Sequence, residues 1–203
     1  MTTIRHHPDS ATLMSFAAGA LAEPLAAVCS AHASMCGECR SELRDMELVG
    51  AALLGATPAG GGRVAAPAKP HDVALGSDRA GLRVGSNAEL PAPIARNYGL
   101  ELDRIPWERL GRGIWQHRLE LSAGAQGELY FIKLGPGCPL PLHAHTGAEL
   151  TLVLTGAFTD ASGEFRRGDM QDIDSATEHQ PVGDREEGCI CLVAAEGPYL
   201  LKG

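Results

Sequence analysis

Two groups of residues in this 203-residue chain have types and spacings that can do chemistry, and both point to metal binding. In the run Gly137-Cys-Pro-Leu-Pro-Leu-His143-Ala-His145-Thr-Gly-Ala-Glu149, His143 and His145 have the same parity, so an extended strand points both imidazoles to one face. Glu149 shares that parity, and a bend before the apolar run 150–154 leaves its carboxylate near the rings. His179 follows the turn-forming pair Gly168-Asp169, and an antiparallel arrangement returns it beside the first two histidines. Three imidazole nitrogens and one carboxylate oxygen suit zinc, and the same donors serve iron, manganese, nickel or copper.

The second group lies upstream. His32 and Cys36 are one helical turn apart, and Cys39 follows three residues later. A Cys-x-x-Cys pair can be a redox dithiol, but an imidazole one turn away favours a metal. A closed tetrahedral site needs a fourth donor, for which His6 and His7 are both candidates. Such an ion contributes folding free energy that a small helical bundle lacks.

The elements that must position these residues differ between the two halves. Asp9 or Ser10 caps a helix running to about Gly19, a second begins at Glu23 and passes through His32, and 38–54 is the longest helical candidate. Its apolar positions Leu43, Met46, Leu48, Val49, Ala52 and Leu53 form a stripe too broad for so small a bundle, leaving surface for a partner to bury. A Gly/Pro-rich stretch over about 56–70 reads as a linker, with a short helix after it over 72–83. Beyond it come short apolar runs at 113–121, 128–134, 149–158, 163–174 and 189–194, punctuated by glycine, proline and acidic residues. With no long crossover helix, this spacing predicts an antiparallel barrel or jelly roll. The expected domains are 1–85 and 93–195.

Acidic residues outnumber basic ones by 25 to 17, giving a formal charge of -8 that argues against a nucleic-acid surface and suits a basic protein partner. No apolar run is long enough to suggest a membrane span, and Asp9 falls where the core of a signal peptide should develop, so the cytoplasm is the expected location. The six cysteines make a poor disulfide scaffold; Cys189 and Cys191 share a strand face as core or reactive thiols. Trp107 and Trp115 read as barrel-edge packing, and His71 and His117 as peripheral.

Gly137, His143, His145, Glu149 and Gly156 together resemble the first cupin motif, and Gly163 and His179 align with the second. The upstream pattern is similar to the zinc-binding anti-sigma domain, a resemblance that implies His7 as first ligand because it directly precedes Pro8 and the first helix. Joined in one chain, the two resemble the ChrR-type anti-sigma factors over nearly the whole length. The resemblance implies a small all-α zinc-binding helical domain followed by an all-β cupin jelly-roll barrel, with one zinc on His7, His32, Cys36 and Cys39 and a second on His143, His145, Glu149 and His179. It further implies that the chain is not an enzyme. It would sequester an extracytoplasmic-function sigma factor, one to one and without touching DNA, until oxidative stress such as singlet oxygen releases it. The alternative is a cupin metalloenzyme of dioxygenase type, in which an open coordination position binds oxygen or substrate.

Overall fold

The computed structural model describes residues 3–56 and 89–202, so most of the expected linker and the short helix expected over 72–83 lie outside the described residues. Helix α1 (Ser10–Ala17) starts where the Asp9 carboxylate accepts the Thr12 N–H at 2.6 Å. Helix α2 (Glu23–Met35) carries Pro24 in its first turn, where a missing N–H costs nothing, and α3 (Gly37–Ala56) follows almost without a break. At that join the Arg40 guanidinium donates to the Ala33 carbonyl at 2.6 Å, satisfying an otherwise orphaned acceptor at the end of α2. A fourth helix, α4 (Ala92–Tyr98), ends at Gly99, whose φ of 62° suits a residue without a Cβ.

The strands are β1 (Glu108–Gly111), β2 (Ile114–Arg118), β3 (Glu128–Leu134), β4 (His143–His145), β5 (Glu149–Asp160), β6 (Gly163–Arg166), β7 (Met170–Ile173), β8 (Glu178–His179), β9 (Val182–Gly183), β10 (Cys189–Ala195) and β11 (Tyr199–Leu201). They form two sheets. The larger runs β1-β2-β3-β10-β5-β6, with β7 and β9 also paired to β5; the smaller runs β11-β4-β8.

The expected jelly-roll barrel is therefore not found: the large sheet is open. β1 pairs with β2, and β6, β7 and β9 pair with β5, so no hydrogen-bonded ladder joins the two ends. The local cause is that β5 is long enough to take three short partners, β7 along its first half and β6 and β9 along its second, none of which reaches round to β1. Instead of closing on itself, the sheet is covered on both faces. One face packs Phe131, Leu150, Leu152 and Leu192 against Leu25, Val28 and Ala31 of α2 and Ile94 of α4. The other packs Tyr130, Ile132, Val153, Phe158 and the two thiols of Cys189 and Cys191 in a second core. Leu13, Ala33, Cys36, Cys39 and Leu43 make a third, smaller core among the first three helices. The helices and the large sheet thus share a continuous apolar interior.

Trp107 and Trp115 flank Lys133, whose Nζ lies 6.0 Å and 5.3 Å from the two ring centroids. His117 stacks on Phe131 at 6.5 Å.

Candidate metal centres

The sequence-predicted donors come together in two clusters, and within each cluster the donor atoms all lie within 4.8 Å of one another. In the helical cluster, the tail preceding α1 supplies His7, α2 supplies His32, the α2–α3 join supplies Cys36 and the first turn of α3 supplies Cys39. His7 Nδ1 lies 3.5 Å from Cys36 Sγ and 3.3 Å from Cys39 Sγ, and His32 Nε2 lies 3.3 Å from Cys39 Sγ. A tetrahedral zinc with ordinary bond lengths separates a ligand nitrogen from a ligand sulfur by about 3.6 Å, so these contacts have the length of tetrahedron edges. His6 points elsewhere: its ring lies 4.5 Å from that of Phe165 and its Nδ1 is 3.5 Å from Asp169 Oδ2.

Outer contacts fix the ring orientations. His32 Nδ1 donates to the Gly168 carbonyl at 3.0 Å, which leaves a lone pair on Nε2 facing Cys39. His7 Nε2 lies 3.6 Å from the exposed Glu38 carboxylate, while its Nδ1 faces the thiols. Burial lowers the His32 pKa to about 4, so at neutral pH its ring is unprotonated and able to donate a lone pair. Burial, with Cys36 adjacent, pushes the Cys39 thiol up to about 12, and a cation must displace that proton to bind.

In the second cluster, β4 carries His143 and His145 on one face, β8 pairs His179 directly opposite His143, and β5 opens with Glu149. All four side chains are buried. His179 Nε2 lies 3.0 Å from His143 Nε2 and 3.2 Å from His145 Nε2, and His145 Nε2 lies 3.2 Å from Glu149 Oε2. His143 Nδ1 sits 2.8 Å from the Pro141 carbonyl, and His179 Nδ1 sits 3.4 Å from Asp160 Oδ2; both acceptors require an N–H there. The Nε2 atoms of His143 and His179 therefore face each other across 3.0 Å, as two nitrogens donating to one cation would. Edges of this length fit tetrahedral zinc, for which nitrogen–nitrogen edges are about 3.4 Å, and also adjacent corners of an octahedron, about 3.0 Å apart.

Burial lowers His143, takes His145 down to about 4, and raises Glu149 to about 7. Asp160 also pays a burial penalty, but hydrogen bonds from His179, Ser162 and Gln171 outweigh it and hold the carboxylate ionised. Tyr130, Leu140, Phe158, Cys189 and Cys191, with His143, Glu149 and His179 of the cluster, line a cavity of ≈ 40 Å³, room for a few waters rather than the several hundred Å³ of a typical small-molecule site.

Sequence reasoning missed Gly168, Asp169, Asp160 and Gln171, which support the ligands from the second layer. Only the turn-forming type of Gly168-Asp169 was a signal. Nothing in the sequence ties Asp160 to His179.

An open two-sheet β unit with a buried His₃Glu cluster, joined to helices bearing a His₂Cys₂ cluster, defines a class. Residues 96–199 match the ChrR Cupin-like domain family. Over 97% of its length the chain is 37% identical to the anti-sigma-E factor ChrR of Cereibacter sphaeroides, of which the match covers 92%. The crystal structure of Rhodobacter sphaeroides SigE in complex with the anti-sigma ChrR contains a chain with a TM-score of 0.76 and 36% identity, covering 95% of this chain and 99% of that one. The polyketide cyclase RemF of Streptomyces resistomycificus matches at a TM-score of 0.44 and 19% identity, covering 50% of this chain and 82% of that one, a likeness too slight to carry an activity across. The chain belongs to the ChrR family of anti-sigma factors.

Proposed function

We propose that this protein sequesters an extracytoplasmic-function sigma factor in the cytoplasm as a 1:1 complex and so represses its transcription until oxidative stress, such as singlet oxygen, releases it. The observation that carries this reading is the end-to-end match to the ChrR chain solved together with SigE. A surface feature supports it. On α3, Leu48, Val49 and Leu53 are 68%, 61% and 66% exposed and fall on one arc of the helix, an apolar face that belongs to none of the hydrophobic cores among the described residues. Among those residues no helix is long and apolar enough to cross a membrane.

We assign zinc to both clusters, on His7, His32, Cys36 and Cys39 and on His143, His145, Glu149 and His179. The first donor set is that of a closed structural site, in which the ion ties the tail before α1 to the α2–α3 join. When bound in the second, the ion supplies a fixed positive charge that holds β4, β5 and β8 together. The small cavity favours a sensing role there over turnover of a substrate. In this division of labour, 1–85 contacts the sigma factor and 93–195 controls release. The two remain coupled, because separating them exposes the sheet-facing side of α2.

Size-exclusion chromatography with light scattering on the zinc-loaded full chain mixed with its cognate sigma factor tests the assignment. A peak at the summed mass of one copy of each is expected. Two separate peaks at micromolar concentrations would refute it.

A further inference from the structure

The two clusters share a support. Residues 4–9, which carry His7, lie along the turn between β6 and β7 and along β7 itself. The Arg5 and His6 amides donate to Asp169 Oδ1 at 2.6 Å and 3.2 Å, the Met170 amide donates to the His6 carbonyl at 3.0 Å, and the Asp9 amide donates to Asp172 Oδ2 at 3.0 Å. The same turn presents the Gly168 carbonyl to His32 Nδ1. Gly168 adopts φ +91°, and a Cβ there would stand 2.8 Å from the Ile4 side chain, so turn and tail are closely fitted. Two of the four donors in the helical cluster are thus positioned by the β unit.

β7 reaches the second cluster from its other side. It pairs with the first half of β5, placing Ile173 opposite the ligand Glu149 and Gln171 opposite Thr151, whose hydroxyl donates to Glu149 Oε1 at 3.1 Å. The buried Gln171 amide donates to Asp160 Oδ2 at 2.6 Å, on the same carboxylate oxygen that faces His179 Nδ1. Along β7, side chains alternate between the two interiors: Gln171 serves the second cluster, while Met170 packs in the core shared with α2.

The geometry points to β7 and its preceding turn as a mechanical link between the clusters, so that occupation of the His143–His145–Glu149–His179 cluster sets how tightly the His7–His32–Cys36–Cys39 cluster holds its metal. This inference rests on the metal assignment proposed above. A ligand set gains affinity when its rings are held in place before the ion arrives, and loss of such outer contacts typically costs about 10–100-fold in affinity. If the second cluster orders β7, it orders Asp169 and Gly168, and through them His7 and His32.

Cobalt substitution of the full chain, carried out with Cys189 and Cys191 both replaced by Ala so that no thiol lines the second cavity, tests this, because thiolate-to-cobalt charge transfer then reports the His7–His32–Cys36–Cys39 cluster. Its cobalt affinity is measured by chelator competition in this parent chain and with His145→Ala, the near-isosteric Glu149→Gln, or Asp169→Ala added to it, with circular dichroism as the control for folding. Asp169→Ala is expected to weaken cobalt binding by about 10–100-fold. His145→Ala and Glu149→Gln, which touch no atom of the tail or turn, are each expected to weaken it at least about fivefold, the lower end of ordinary coupling between sites. Glu149→Gln decides the matter if His145→Ala does not fold. An affinity within twofold of the parent chain in the folded second-cluster variants overturns the link, and the same result in Asp169→Ala overturns the support role. Absence of the charge-transfer band in the parent chain would instead refute the metal assignment itself.

Discussion

Replacing Leu48 and Leu53 together by alanine separates binding from folding, because both side chains lie on the solvent face of α3. Each substitution removes three carbon atoms, and burying a methylene contributes about 0.8 kcal/mol, so a fully buried leucine loses about 2.4 kcal/mol on truncation. With 68% and 66% of each residue exposed in the free chain and available to a partner, the loss scales to about 1.6 kcal/mol apiece. The pair then costs about 3 kcal/mol, a rise in Kd of roughly 150-fold. Alanine is a better helix former than leucine, and exposed substitutions shift stability by no more than about 0.5 kcal/mol, so the variant should melt with wild type. Titration calorimetry against the cognate sigma factor, paired with thermal unfolding of the free protein, reads both quantities. A change in Kd below threefold with unaltered melting would place the sigma-binding surface elsewhere and remove the argument from the apolar face.

Cys39→Ser should weaken cobalt binding at the helical cluster and reduce the thiolate–cobalt band, since Cys36 is then the one thiolate left in the proposed set, and it should lower the melting temperature of the zinc-loaded chain if the ion ties His7 and His32 to the cysteines as proposed; a band of wild-type intensity would contradict the ligand assignment. Because burial holds the Cys39 thiol protonated up to about pH 12, metal binding must release its proton, and apparent affinity at the helical cluster should fall at least about tenfold per unit as pH drops from about 8 to 6. A flat pH profile in chelator competition would mean that this thiolate does not bind. Phe131→Ala, at the centre of the core shared by the large sheet and α2, should cost about 3–5 kcal/mol in urea unfolding, and a loss below 1 kcal/mol would mean that the two units do not stabilise each other.

What the sequence makes legible follows the range of the forces involved. The shared face of His143 and His145 is a consequence of strand alternation, and the placing of Cys36 one turn beyond His32 is a consequence of helical pitch; both patterns are local and both recur in the structure. Cys39 reaches His32 for another reason: the chain is extended at Cys36 and restarts as α3, which turns the second thiol back to the imidazole. The three N-terminal helices are similarly legible, because the Asp9 cap, Pro24 in a first turn and the apolar spacing of α3 act within a few residues. Barrel closure is not local. It depends on which strands meet at the ends of the sheet, and the division of β5 among β6, β7 and β9 leaves those ends apart. Asp160 and Gln171 escaped notice for a related reason: their hydrogen bonds to each other and toward His179 arise only when β5, β7 and β8 have come together. The choice between His6 and His7 turns on one peptide unit. The tail lying on Asp169 sends His6 to Phe165 and His7 to the cysteines.

The most direct test of the central claim is transcription from a sigma-dependent promoter by purified RNA polymerase, with increasing zinc-loaded full-length protein and a housekeeping-sigma promoter as control. Sigma-dependent transcript should fall in proportion to added protein and vanish near one equivalent of the sigma factor, while the control is unaffected. Undiminished sigma-dependent transcription in the presence of excess folded, metal-loaded protein would contradict it.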